Sequence, residues 1–209
     1  MQSPSSNRLP PDTGKFTQEG DRRLRHLPAK LAAHRLFAGA TADQMGWAML
    51  EHDRIDLAYV TNINGPIVRS LVTVNDGRFE FDDAFGERGF VMAVHDEDAE
   101  TVVDLVAWSA RDPASFGSLF GAGVLGVDVL LNPASYVASP CMIFQCPLAW
   151  LRGKCDGAVI LDPNVAKGVL QRAPGPITTE TLDHAESLVR SGVIAGHKIH
   201  VPAAWVRSA

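Results

Sequence analysis

Between residues 55 and 108 the chain reads in period two. IDLAYV, LVTV, RFEF, GFVMAVH and TVVDLVAW are short runs rich in β-branched and aromatic residues, the composition and alternation of half-buried strands. The connections between them are too short for a crossover, and parallel neighbours need one. LVTV and RFEF are separated only by Asn75, Asp76 and Gly77, and an Asp-Gly pair supplies the positive φ of a tight hairpin turn. The second pair of runs flanks the acidic loop DEDAE. The arrangement predicts an antiparallel β meander over residues 55–108 as the centre of the fold.

Helical periodicity surrounds this region. Leu24 and Leu27 precede Pro28, which fits only in the first turn of a fresh helix carrying Leu31 and Arg35. In ATADQMGWAMLEHD, Thr41 and Gln44 stand at capping-box spacing, and Met45, Ala48, Met49 and His52 follow at helical intervals. After Trp108 the expectation is a mixed half. RDPASFGSLFG reads as a short helix capped by Asp112, VLGVDVLL as a strand, CMIFQC as a strand and PLAWLRGKC as a helix. DPNVAKGVLQRA and TTETLDHAESLVRSG read as further helices, the latter stopped by Gly192, and HKIHVPAAWV as an edge strand. The fold class is therefore α+β: N-terminal helices, a β meander and a mixed helix/strand C-terminal half. Residues 1–20, rich in Ser, Pro, Asn and Gly without apolar periodicity, read as a flexible tail, and residues 21–209 as one α+β domain.

With 46% hydrophobic and 21% charged residues, the chain has the composition of a globular protein rather than a disordered one. Its apolar runs fall far short of the roughly 20 residues a membrane span needs, and the N-terminus carries no apolar signal segment. Three cysteines cannot all pair with one another, so a reducing cytoplasm is expected. Residues 1–35 hold seven Lys/Arg against three acids, a local charge of +4, whereas residues 76–104 hold ten acids against two arginines, or −8. The basic segment 22–35 can serve an anionic partner, and it can equally fold onto an acidic face of its own chain or of a second copy in a homo-oligomer.

All three cysteines lie in CMIFQCPLAWLRGKC. On a strand Cys141 and Cys146 point to opposite faces, and the C-x4-C and C-x8-C spacings do not suit a tetrahedral zinc centre. Cys155 falls on the apolar stripe of the following helix. Cys146 stands directly before Pro147, at a helix cap, where main-chain N–H groups and the helix dipole can stabilise a thiolate. It is a candidate nucleophile, and a buried cap thiol is the alternative. Asp162 ends the apolar run of VILDPN. That is where α/β enzymes place catalytic or metal-binding carboxylates, and also where a plain helix N-cap stands. Asp104, inside VVDLVAW, must find a partner if buried and is a second candidate metal ligand.

Three weaker features complete the survey. The loop with His95, Asp96, Glu97, Asp98 and Glu100 lacks the glycine and spacing of an EF-hand. His197 and His200 point apart on a strand. Gly121 and Gly123 have no strand–loop–helix unit around them, which argues against nucleotide binding. The reading that results is a non-enzymatic binding or accessory module, without a cofactor. The first alternative is an enzyme dependent on a divalent metal held by Asp162 and acids of the 96–104 segment. The second is a cysteine enzyme built on Cys146.

Overall fold

The computed structural model describes residues 27–37, 55 and 64–201. The expected tail, the helix near residue 45, most of the first strand and everything after Val201 lie outside the described residues. Among the described residues, five helices and nine strands form an α+β protein with two sheets.

The predicted antiparallel region is present and goes further than a meander. Strands β1 (Val68–Asn75) and β2 (Arg78–Phe81) form the expected hairpin. Asp76 and Gly77 both adopt positive φ, at 49° and 74°, as a tight primed turn requires. β3 (Glu87–His95) then pairs with the other side of β1 and with β4 (Val102–Ser109), all antiparallel. A short strand β5 (Phe116–Ser118) adds to β4 and meets β2 in parallel through Arg78 and Ser118, closing the sheet into a barrel. The stretch RDPASFGSLFG is therefore not the helix its Asp112-Pro113 start suggests. Asp112 accepts from the Ala114 N–H and its carbonyl from Ser115, which makes a turn that feeds a strand. Gly117 explains the outcome, because a Cβ there would stand 2.6–2.7 Å from the backbone of Gly77 and Arg78. Only glycine lets β5 approach the hairpin so closely.

Val72, Phe79, Val91, Ala93, Leu105 and Ala107 fill the barrel. Helix α1 (Leu27–Phe37) packs on β4 and buries Ala29 and Ala33. The outer face of β3 and β4 carries Phe90, Met92, Val94, Val106 and Trp108, with the Phe90 and Trp108 rings stacked at 5.6 Å. This face packs on the second sheet, so β3 and β4 are covered on both sides. That accounts for their nearly unbroken apolar runs.

The second sheet has the order β6-β8-β7-β9. β7 (Cys141–Phe144), β8 (Ala158–Ile160) and β9 (Ile177–Thr179) are parallel, and β6 (Val124–Leu125) is antiparallel to β8. Helices α2 (Val127–Leu131), α3 (Pro147–Arg152), α4 (Pro163–Arg172) and α5 (Leu182–Arg190) connect and cover it.

Several boundaries differ from the sequence reading. VLGVDVLL is a two-residue strand and a helix, because Gly126 turns left-handed at φ 78° between them. α3 ends at Arg152, and Cys155 lies beyond it at φ 61°, buried without being helical. Thr178 and Thr179, read as the start of a helix, belong with Ile177 to β9, and the helix begins only after Thr181. At the C-terminal end Gly196–Lys198 is a 3-10 turn rather than a strand, and only Ile199 bridges to Ile177. Gly192 stands past α5 at φ 70°, as expected of a C-terminal cap glycine.

Candidate functional site at the carboxyl edge of the second sheet

Open sheets with parallel strands take their ligands outside the carboxyl ends of those strands, because strand ends and helix N-termini meet there. In this sheet three strands converge in that way. β7 runs into Gln145 and Cys146, β8 into Leu161 and Asp162, and β9 into Glu180 and Thr181. Cys146, Asp162 and Thr181 are the N-caps of α3, α4 and α5. Pro147 and Pro163 follow two of them, where a missing N–H costs no hydrogen bond.

Asp162 acts as a cap. Its Oδ1 accepts from the N–H of Asn164 at 2.9 Å and of Val165 at 3.4 Å, while its own N–H donates to the Gly123 carbonyl. Two orphan donors of the helix are thereby satisfied.

Cys146 is half-buried and packs against the cluster shared by the two sheets. Its side chain makes no cap hydrogen bond, and α3 is only six residues long. Burial raises the thiol pKa, and the Glu180 carboxylate adds to that. The N–H groups of Ala149 and Leu148 and the Arg152 guanidinium pull the other way without reversing it. The thiol is therefore held protonated at neutral pH, the opposite of what a nucleophile needs. Cys141 and Cys155 are buried more deeply, and burial pushes their thiols up to about 11 and about 12. The Asn64 amide donates to the Cys155 Sγ at 3.1 Å.

The same edge contains residues that the sequence did not single out. The Glu180 Oε2 accepts from the Gln145 N–H at 2.6 Å, and the Gln145 amide donates to the Thr181 Oγ1 at 3.1 Å. The Thr181 Oγ1 also accepts from the His184 N–H. The His184 Nδ1 is buried without a hydrogen-bond partner, and burial lowers the pKa of that imidazole against the pull of Glu180. Glu180 thus ties the end of β9 to the end of β7, within electrostatic reach of both Cys146 and His184. Reading Thr178 to Glu180 as helix concealed this. Read as a strand, ITT places Glu180 at a carboxyl end beside Cys146.

Asp104 lies behind this edge, buried on β4. Its two oxygens accept from the N–H groups of Leu105 at 2.7 Å, Phe120 at 2.8 Å and Ala122 at 2.6 Å. Burial raises its pKa, opposed by those three donors and by Arg78. The carboxylate fixes the link between β5 and β6. Asp162 grips the next residue of that link, Gly123, so the two candidate acids meet on one segment without facing a common cavity. Gly121, with φ 95°, lies under the Arg78 guanidinium, which a side chain there would displace.

The acidic loop is a turn closed on itself: Asp98 accepts from the Glu100 and Thr101 N–H groups and from the Thr101 hydroxyl. Glu97 reaches across to Arg172 at the end of α4, at 2.7 Å. Among the described residues no three His, Cys, Asp or Glu side chains are grouped so as to hold a metal ion. No described helix is long and apolar enough to cross a membrane. The basic segment, as far as it is described, is α1, whose small residues face the barrel while Lys30 and Arg35 are exposed.

In sequence comparison the chain matches no protein-family model and no curated protein.

Proposed function

We propose that the protein is a binding or accessory module of the cytoplasm, not a catalyst. One observation carries the reading: the residues best suited to chemistry are already engaged in holding the fold. Asp104 takes three main-chain N–H groups, Asp162 takes two, and burial keeps the Cys146 thiol protonated. Asp104 accepts on both oxygens and has few lone pairs left for a metal or a substrate proton, and Asp162 accepts on Oδ1 as a helix cap. The metal-dependent reading would have to use the second oxygen of Asp162, and among the described residues no group of three His, Cys, Asp or Glu side chains includes it.

The cysteine reading keeps one, the placement of Glu180 near both Cys146 and His184 with the His184 Nδ1 unpartnered. The two readings separate in a turnover screen against ester, thioester, phosphoester and peptide substrates. The expected result is no turnover above the blank. Turnover that disappears in Cys146→Ser or His184→Gln would replace the binding module with a cysteine enzyme.

A further inference from the structure

On the α4–α5 side of the second sheet the structure has two adjoining cavities. The deeper, of 560 Å³, lies between the last turns of α4, the end of α5 and the loop after Gly192. Leu170, Val189, Val193 and Ile194 form its apolar wall, and Lys167 and Lys198 stand at its α4 side. The second, of 350 Å³, continues along α5 past Leu182, Ala185, Ile199 and Val201. Val189 and Gly196 line both, so the two adjoin along one groove-like face. Each falls within the roughly 300–1,000 Å³ of small-molecule sites, which are mostly apolar with a few placed polar groups.

Charge along the groove is one-sided. Among the described residues the deep end is lined by two ammonium groups and by no carboxylate. The Lys198 ammonium is held in place by the carbonyls of Leu170 at 3.3 Å and Gln171 at 3.1 Å. An ammonium has three donors, and those two bonds leave one of them to spend. The neighbouring Arg172 is paired with Glu97 and does not compete. In the shallow arm Glu186, the one acid among the described lining residues, is matched by Arg190 one helical turn on. Val189, where the arms join, is 41% exposed, an apolar side chain left open to a ligand.

We infer that this groove binds an amphipathic organic anion. Its carboxylate or phosphate head would lie against Lys167 and Lys198, and its hydrocarbon body along Val189 towards Ile199. The inference rests on the reading of the protein as a binding module and supplies its ligand class.

Titration calorimetry with dodecanoate below its micellar concentration tests it. Dodecyl phosphate distinguishes the two kinds of head, and dodecyltrimethylammonium serves as a control of the same length. Saturable binding of one anion per chain is expected, with the cation at least about tenfold weaker because it meets two like charges. Lys167 is exposed on α4, so Lys167→Gln should weaken dodecanoate by about three- to tenfold at an unchanged melting temperature. Val189→Asn, which leaves both lysines in place, should weaken all three ligands alike. Equal binding of anion and cation, or no binding to the full chain, overturns the inference. So does binding that appears only once residues 202–209 are removed, since the groove would then belong to that segment. Recovery of chemically altered dodecanoate would instead overturn the binding-module reading and leave the ligand class intact.

Discussion

Asp104 shows how much one buried carboxylate can organise. Its three acceptor contacts at 2.6–2.8 Å come from β4 itself and from the link to the second sheet. Replacing it with Asn keeps the size but turns an amide NH2 towards N–H groups that need an acceptor. Charge-assisted bonds of this kind are worth about 1.5–3 kcal/mol each, and buried donors left unpaired cost more than the bond they lose. Asp104→Asn is therefore expected to lower the unfolding free energy by about 3 kcal/mol, read as a shift of the urea midpoint at constant slope. A loss below about 0.5 kcal/mol would show that the link is held by other contacts. The sequence marked Asp104 as a buried acid in need of a partner but could not name one. Two of its three partners are main-chain groups 16 and 18 residues away, and N–H donors leave no trace in residue type. Asp162 was easier to read, because a cap's partners are the next residues in the chain.

At the scale of elements, long runs with one clear period were legible, and short pieces were not. The hairpin at Asp76-Gly77, the pair β3 and β4, and the helix after Asp162 follow the local pattern. β5, β6 and β9 have two or three residues each, too few for a period to register, and their neighbours in space decide them. The candidate site suffered from the same limit, since Glu180 and His184 became visible only once β9 was known to be a strand. Gly117 provides a test that depends on the sign of an effect. In a helix, Gly→Ala stabilises by about 1 kcal/mol. In β5 the added Cβ meets the backbone of Gly77 and Arg78 at 2.6–2.7 Å, and forced repacking costs about 1–3 kcal/mol. Gly117→Ala is expected to destabilise by about 2 kcal/mol in a denaturant titration, and a gain in stability would show that the barrel does not close there.

At the scale of the whole molecule, the buried thiols make stability depend on alkaline pH. Burial raises Cys141 to about 11 and Cys155 to about 12, above an ordinary value of 9.0. A folded-state pKa above the unfolded one means that the folded chain keeps its protons longer. The stabilisation from these thiols is then fully present below pH 9 and is lost as pH rises through 9 towards 11 and 12. Each pH unit in that window removes on the order of 1 kcal/mol per thiol. Because Tyr and Lys also titrate there, the measurement is a difference: unfolding free energy of the wild type minus that of Cys155→Ala, at pH 8 and pH 10.5. The difference is expected to shrink by about 2 kcal/mol, and a constant difference would mean that Cys155 is not shielded.

The closure of the first sheet also bears on how the protein behaves in a crowd. An open sheet ends in rows of unpaired N–H and C=O groups, which are templates for another chain to add on. Here β2 and β5 meet, and the five strands leave no free end strand. In the second sheet the outer side of β9 is occupied by the bridge from Ile199 to Ile177 and by the His200 N–H on the Ile177 carbonyl. Strand β6, on the other side, is two residues long. Among the described residues the molecule therefore offers little for edge-to-edge growth into fibres. The contact between Arg78 and Ser118 that closes the barrel covers a strand edge as well as fixing its shape.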